Sequence, residues 1–335
     1  MNNENIWVFI EKNKNQIKNI SLELLNKGRE LARIRSEKIV AVFIGNDLKS
    51  SVQTIANFGA DGLILVEGEE YAAYSNDGFT NALYLLIEKY KPSTILFGAT
   101  NAGNDLAAGL AARLHTSAAI NCTDLAIDSP SGTIEWQRAI HGGSLIQTVS
   151  SPETRPQIGS VRSGISKKEK IGDNQRIYVI EEKIKTPSDK IRTRIKEVLS
   201  SAQESGIKLE DAKVVVSGGL GMGSPENFQR IAELADLLDG AVGATRAVID
   251  AGWIPSQHQV GQSGKTVNPD LYIACGISGA IQHVSGMKTS KVIIAINKDP
   301  EAPIFDIADY AVIGDVNKIL PVLIEEIKKT HIPVE

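Results

Sequence analysis

Short apolar runs alternate with amphipathic stretches along most of this chain. Ile6–Ile10 is a continuous apolar run. The apolar positions that follow, Ile17, Ile20, Leu22, Leu25, Leu31 and Ala32, have helical spacing. Further apolar runs lie at Ile39–Gly45, Val52–Phe58, Gly62–Val66 and Thr94–Gly98, with helices predicted around Ala82–Tyr90 and Asp105–Leu114. Alternation of this kind predicts a parallel α/β sheet with helical crossovers. The segments Ile134–Ala139, Leu145–Val149, Gln157–Val161 and Ile177–Ile180 read as short strands with little helix between them, and are expected to complete the first domain with antiparallel strands. The stretch Glu181–Ile207 is rich in Lys, Glu and Ser and reads as a polar connector with a solvated helix. It can build little core, so it marks a domain boundary. The expected organisation is an N-terminal domain over 1–190, a linker over 191–210 and a second domain over 211–335.

The last third starts the alternation again. Lys213–Ser217 reads as a strand and runs into the glycine cluster Gly218–Gly223. Ser224, Pro225 and Glu226 then form an N-cap, an N1 proline and a first-turn acid for a helix over Asn227–Leu238 that stops at Gly240. Strands at Leu271–Cys275, Val292–Ile296 and Tyr310–Ile313 alternate with helices expected at Ser278–Met287 and Val316–Lys328. The fold class is two-domain α/β: a parallel α/β domain with added antiparallel strands, then a Rossmann-like, doubly wound domain. No fixed-period repeat interrupts this order.

Composition removes several alternatives. A hydrophobic share of 42% and a charged share of 23% over 335 residues exclude wholesale disorder. A net charge of −4 offers no electrostatic footprint for nucleic acid. Cys122 and Cys275 are far apart and the five histidines show no metal-binding spacing, which argues against a disulfide framework, a zinc finger or a metal site. No stretch of about 18 apolar residues is present, so no membrane span is expected. The first residues resemble neither a signal nor a transit peptide, so the expected location is cytoplasmic.

The candidate chemistry lies in three loops. Gly218–Gly223 follows a strand and precedes a helix, the context of a phosphate-binding turn. It fails the dinucleotide fingerprint, because the third glycine position falls on Ser224, although Asp239 stands 20 residues after Gly219. Tight strand–helix packing is the competing use of these glycines. The second loop, Gly276-Ile-Ser-Gly279, ends a strand; Ser278 can cap the next helix, and Gln282 and His283 lie in its first turns. The third, Gln259–Lys265, combines amides, a hydroxyl, glycines and a lysine without helical period, which suits a binding loop. Each residue also has a plainer reading: Arg246 as a surface ion pair, His283 as a satisfied core histidine, Asn297 and Asp315 as Asx turns, Cys275 as a small buried hydrophobe.

Taken in order, Val215–Gly219, Val242–Ala247, Asp250–Gly252, Gln259–Lys265, Leu271–His283 and Ala295–Phe305 resemble the FAD-binding domain of the electron transfer flavoprotein alpha subunit. Gly98–Leu114 and Pro156–Gly164 resemble the N-terminal half of the same family more loosely. The resemblance implies FAD as cofactor and a beta subunit as partner. It places the family's cofactor contacts on Thr245 and Arg246, on Gln259, Val260, Gly261, Gln262 and Ser263, on Gly276, Ser278, Gly279 and Ala280, on Gln282 and His283, and on Asn297 and Asp315. By that correspondence His283 and Arg246 stabilise negative charge on the reduced ring, Ser263 meets N5, and residues 276–280 meet the pyrophosphate. Asn297 and Asp315 then suit the ribityl chain or the AMP half. Leu220 stands where family members often carry a basic residue.

The implied function is an electron carrier rather than a stand-alone enzyme, taking electrons from an acyl-CoA dehydrogenase-type flavoenzyme. The electron-bifurcating variant, which couples NADH, ferredoxin and a CoA ester, stays open. So do two other classes: an NAD-dependent oxidoreductase subunit, disfavoured by the failed fingerprint, and a redox-inactive nucleotide-binding scaffold.

Overall fold

The computed structural model describes residues 4–13, 16–128, 131–141, 145–193, 195–196, 208–209 and 212–330. The chain divides into two compact units, Met1–Leu199 and Ser200–Glu335. The solvated helix expected within Glu181–Ile207 falls largely on 194 and 197–207, which lie outside the described residues.

In the first unit the strands are β1 (Ile6–Ile10), the two-residue pair β2 (Lys12–Asn13) and β3 (Gln16–Ile17), β4 (Ile39–Gly45), β5 (Gly62–Glu67), β6 (Thr94–Gly98), β7 (Ala118–Cys122), β8 (Asp124–Ile127), β9 (Ile134–Ile140), β10 (Leu145–Val149), β11 (Gln157–Val161) and β12 (Tyr178–Glu182). The helices are α1 (Asn19–Arg35), α2 (Val52–Asn57), α3 (Asn76–Tyr90) and α4 (Asn101–Leu114). Seven strands form one parallel sheet in the order β12-β5-β4-β1-β6-β11-β7. Its central strands are buried on both faces, which is why they read as unbroken apolar runs. Strand periodicity splits them: Ile6, Val8 and Ile10 join Leu24, Leu25 and Leu31 of α1 in one core layer. Trp7 and Phe9 join Phe79, Leu83 and Leu86 of α3 and Leu106 and Leu110 of α4 in the other.

The expected antiparallel completion is only partly what forms. β8, β9 and β10 make a separate antiparallel sheet, but β11 and β12 join the main sheet as parallel strands. The reason is the connection. The hairpin sheet replaces a helical crossover between β7 and β11, so an absence of helix in the sequence does not mean antiparallel pairing. Trp136 of β9, 2% exposed, fastens the small sheet to the large one. Its ring lies where a Cβ on Gly159 of β11 would be.

The second unit contains β13 (Val214–Gly218), β14 (Ala241–Ala244), β15 (Leu271–Cys275), β16 (Val292–Asn297) and β17 (Tyr310–Ile313), with α5 (Pro225–Leu237), α6 (Arg246–Asp250), α7 (Ile281–Val284) and α8 (Val316–Thr330). The sheet is parallel, in the order β14-β13-β15-β16-β17. The chain leaves β13 toward β14 and then returns to β15 on the opposite side. The gap between β13 and β15 is therefore a topological switch point, where doubly wound sheets hold ligands at their carboxyl ends.

One face carries α5 and α8, packed through Phe228, Ile231, Leu234, Leu320 and Ile324. The other is covered by loops and by Val260, Ile277, Met287 and Ile304. α5 starts as expected, with Ser224 Oγ accepting from the Asn227 N–H at 3.3 Å and Pro225 in the first turn. Inside α8, Pro321 cannot donate to the Asn317 carbonyl. Arg230 Nη1 donates to that oxygen instead, at 3.4 Å. The helix expected over Ser278–Met287 shrinks to Ile281–Val284. Gly276 (φ 61°) and Gly279 (φ 93°) hold the preceding chain outside helical space, and Ala280, not Ser278, is the N-cap residue.

Gly159→Ala should cost about 1–3 kcal/mol, the usual range for overpacking a full core, because Trp136 must leave its seat. Urea unfolding of the variant checks this, and an unchanged midpoint would mean that Trp136 has room to yield.

Candidate functional site

All the loops singled out in the sequence of the second unit gather at the carboxyl ends of its strands. The glycine cluster follows β13, Thr245 and Arg246 follow β14, Gly276–Ala280 follow β15, Asn297 ends β16 and Asp315 follows β17. The first and third of these loops lock together by backbone contact. Gly219 N donates to the Cys275 carbonyl at 2.9 Å and Gly221 N to the Gly276 carbonyl at 3.0 Å. A Cβ on Gly221 would lie 2.7 Å from Gly276 Cα, and one on Gly276 would lie 2.8 Å from the Gly221 carbonyl carbon. Side chains are excluded from this seam on both sides. Asn227 and Asn317 hold the glycine loop from behind, both donating to the Met222 carbonyl, at 3.0 and 3.2 Å.

The seam leaves a run of donors unused. The backbone N–H groups of Ile277, Ser278, Gly279 and Ala280 donate to no described group, whereas Gly276 N donates to the Ile296 carbonyl. Four consecutive N–H groups without a described acceptor, in a turn with glycines at positive φ, make the backbone pattern that can take up an anion. Its shape is held by its carbonyls. Asn297 Nδ2 donates to the Ile277 carbonyl at 2.8 Å and Ile304 N donates to the Ser278 carbonyl at 3.0 Å. Asn297 Oδ1 also accepts from Asp299 N at 3.0 Å. Both ends of its side chain are thus engaged with the chain's own backbone. Asp315 makes the Asx contact of the plainer reading, accepting from Asn317 N at 3.0 Å at the start of α8.

The Gln259–Lys265 loop sits against β14 and α7. Val260 N donates to the Ala244 carbonyl at 2.9 Å, Gly261 N to the Lys265 carbonyl at 3.0 Å, and Gln262 N to the Gln282 carbonyl at 2.7 Å. Gln259 is buried and its amide donates to Ser263 Oγ at 2.9 Å, while Gln262 and Ser263 face solvent. Thr245 donates its N–H to the Gly218 carbonyl at 3.1 Å and accepts from Val248 N and Ile249 N as α6 begins. Arg246 is exposed and its Nε donates to both carboxylate oxygens of Asp250 at 3.1 Å.

His283 does not present a free N–H. It is 6% exposed; Nδ1 lies 3.0 Å from the Val260 carbonyl and Nε2 lies 2.9 Å from the Tyr272 hydroxyl. A carbonyl can only accept, so Nδ1 carries the proton and Nε2 accepts from the tyrosine. Burial holds the imidazole pKa down at about 4, so the ring is neutral. Burial pushes Tyr272 well above the usual phenol range and lifts the Cys275 thiol to about 12, leaving it an inert core residue. Ser217 is fully buried beside these groups; it lies close enough to Tyr272 to favour the ionised phenol slightly, yet its Oγ has no hydrogen-bond partner.

Sequence reading missed Tyr272, Ser217, Asn227 and Asn317. Tyr272 and Ser217 lie within apolar strands, where hydrophobicity hides the hydroxyl. Among the described residues no group of side chains could hold a metal ion, and no helix is long and apolar enough to cross a membrane.

Comparison with known proteins bears on the whole chain. Residues 6–186 match the family model described as electron transfer flavoprotein domain. Residues 208–288 match the one described as electron transfer flavoprotein FAD-binding domain. An electron transfer flavoprotein subunit alpha from Thermoanaerobacterium thermosaccharolyticum is 45% identical, covering 97% of this chain and 98% of that protein. One of the same name from Bacillus subtilis is 39% identical, covering 98% of each. The acryloyl-CoA reductase electron transfer subunit beta of Anaerotignum propionicum is 38% identical, covering 97% of this chain and 95% of that protein.

The buried neutral His283 ties stability to pH. Its pKa is lowered in the folded chain, to about 4, so the unfolded chain binds the proton more readily. The stabilisation is complete above the unfolded pKa of about 6.5 and is lost as pH falls toward 4. About 2 kcal/mol should disappear between pH 7 and pH 5 from this group alone. Urea titrations at the two pH values check it, and His283→Gln should flatten that part of the pH dependence.

Proposed function

The chain belongs to the electron transfer flavoprotein alpha-subunit family, and from that premise we propose that it is the FAD-carrying half of a heterodimer that relays electrons to or from a flavoenzyme acting on CoA esters. FAD is the cofactor of the family domain matched over 208–288. The observation that carries the reading is the set of four free N–H groups, Ile277–Ala280, at the β13/β15 switch point within that domain. A dinucleotide needs uncommitted donors for its pyrophosphate where side chains are excluded, and the glycine seam supplies both conditions.

Bound FAD supplies the redox chemistry, taking up and giving back electrons at its ring. The chain's residues bind and orient it. Ser278, Gly279 and Ala280, with Ile277 beside them, meet the pyrophosphate with their backbone N–H groups, while Gly276, whose N–H is held by the Ile296 carbonyl, shapes the turn. The exposed Gln262 and Ser263, on the loop anchored by Gln259, Val260 and Gly261, reach the ring edge together with Gln282. Arg246, on the neighbouring turn after Thr245, brings positive charge toward the reduced ring from its exposed pair with Asp250. Asp315 keeps one carboxylate oxygen for a ribose or ribityl hydroxyl. Leu220, half exposed on the glycine loop, adds no charge there.

For the rest of the chain we assign 1–190 to the domain that faces the beta subunit, 191–210 to a linker and 211–335 to the FAD domain. An apolar β10 edge supports a partner on the first unit, since Leu145 and Ile146 are 56% and 60% exposed. A CoA-ester flavoenzyme as electron partner is supported by the name of the Anaerotignum relative.

The purified heterodimer should be yellow, with flavin absorbance near roughly 380 and 450 nm; a colourless complex that binds NAD instead would overturn the reading. Counting flavins and assaying NADH-dependent ferredoxin reduction with a CoA ester separates the bifurcating form from a simple carrier. Arg246→Ala should lower the two-electron midpoint potential by about 30 mV, the equivalent of one charge-assisted hydrogen bond of about 1.5 kcal/mol to the reduced ring. Potentiometric titration checks this, and a shift under about 10 mV would place the guanidinium away from the ring.

A further inference from the structure

We propose that the groove between α1 and the segment following β11 is a further ligand site, which binds a phosphomonoester on a small apolar carrier through Arg29, Arg33 and Lys167. The groove is built wholly from residues of the first unit, so the inference goes beyond the FAD reading above and does not depend on it.

The groove has a volume of about 430 Å³, within the range of small-molecule sites. Its second wall is tied to the first. Gly164 N donates to Glu23 Oε2 at 2.7 Å and Lys168 Nζ to Asn19 Oδ1 at 2.8 Å. Asn26 accepts from Glu169 N at 2.9 Å and donates its amide to the Glu169 carbonyl at 3.0 Å. Beyond these, Ile171 N donates to the Asn57 carbonyl at the end of α2, at 2.8 Å. Bonds at both ends hold the segment off the helix surface without letting it drift, so the groove exists before any ligand arrives.

Charge sets the ligand class. Four basic and two acidic side chains line the groove, in a chain whose net charge is −4. Of the basic residues on α1, Lys27 pairs with Glu30 and Asp124, and Arg35 with Glu37. Arg29 and Arg33 are the exceptions. Their guanidinium groups meet no described acceptor, and neither does the Lys167 ammonium, although Glu30 and Glu169 line the same groove. Two like charges one turn apart on a helix repel each other. Arg33 lies in the last turn, where a cation suits the helix dipole, but Arg29 stands a turn too early for that use. Nor is Arg29 loose. Its stem lies over Gly59 (φ 99°), where a Cβ would be 3.2 Å from Arg29 Cδ and 3.4 Å from Ile171 Cγ2. A phosphomonoester carries nearly two negative charges and three terminal oxygens, enough for two guanidinium forks and an ammonium together, whereas a carboxylate offers one charge and two oxygens. Ile165 and Ile171, the latter 41% exposed, give the carrier an apolar wall.

The test titrates the assembled heterodimer calorimetrically with phenyl phosphate, inorganic phosphate and benzoate. Phenyl phosphate should bind with a dissociation constant below about 1 mM. Inorganic phosphate should bind more weakly, for want of the apolar wall, and benzoate more weakly than phenyl phosphate, for want of charge. Arg33→Gln, at an exposed position, should raise the phenyl phosphate constant about tenfold, the effect of losing one charge-assisted hydrogen bond. Arg29→Gln combined with Arg33→Gln should abolish binding. Lys49→Gln combined with Lys328→Gln removes the same charge at exposed ion pairs outside the groove and should leave binding in place. No heat from phenyl phosphate at millimolar concentration overturns the proposal. Wild-type affinity in the double arginine variant overturns it too, since the probe then sits elsewhere in the heterodimer, and so does an equal loss in the lysine control. Benzoate binding as tightly as phenyl phosphate overturns the phosphate class. Should the double arginine variant not assemble, Arg33→Gln decides, and an unchanged constant there overturns the site. The flavin content of the heterodimer bears on the FAD reading and not on this groove.

Discussion

The ligand-binding end of this protein depends on one close approach: two turns, after β13 and β15, that meet backbone to backbone. Gly219, Gly221 and Gly276 leave no room for side chains at the seam. The hydrogen bonds across it use the N–H groups of Gly219 and Gly221 and the carbonyls of Cys275 and Gly276. That consumption is directional. It satisfies the carbonyls at the end of β15 and leaves the next N–H groups of the same turn without a described acceptor. The uncommitted donors are thus a remainder of how the two loops pack, and Asn297, Ile304, Asn227 and Asn317 hold the two turns through their carbonyls.

Dipoles rather than buried charges dominate the site. His283 is neutral because burial outweighs its one favourable backbone contact. Leu220 contributes no cation, and Arg246 stays in solvent with Asp250, where an exposed pair holds little energy. Oriented N–H groups need no desolvation of an ion and do not reorganise when charge arrives, which suits a cofactor whose charge changes with each turnover. The low dielectric that makes the Tyr272–His283–Val260 chain rigid also makes the bare Ser217 hydroxyl costly.

The first unit solves a different problem. Its sheet is covered on both faces, by α1 and the hairpin sheet on one and by α3 and α4 on the other. Trp136 over Gly159 makes the hairpin sheet part of that core, while β10 on its far edge remains apolar and open.

The sequence by itself determined the fold class, because apolar runs buried on both faces and amphipathic helices leave unambiguous periodicities. It also determined the start of α5, through Ser224 and Pro225, and the order of motifs along the second unit, which carries the family. It pointed to the right loops, since glycines, amides and hydroxyls in a row have few other uses. Tertiary structure alone decided the rest. Hydrogen-bond partners brought together from distant segments are invisible in a one-dimensional pattern: β11 looks the same whether its neighbour runs parallel or antiparallel, and Asn297 looks the same whether it meets a ligand or the Ile277 carbonyl. Tyr272 reads as one more apolar residue of a core strand. Only the fold brings His283, eleven positions further along the chain, over its hydroxyl. There a side chain that periodicity assigns to packing gains a polar task, because a buried donor must find an acceptor wherever the fold provides one.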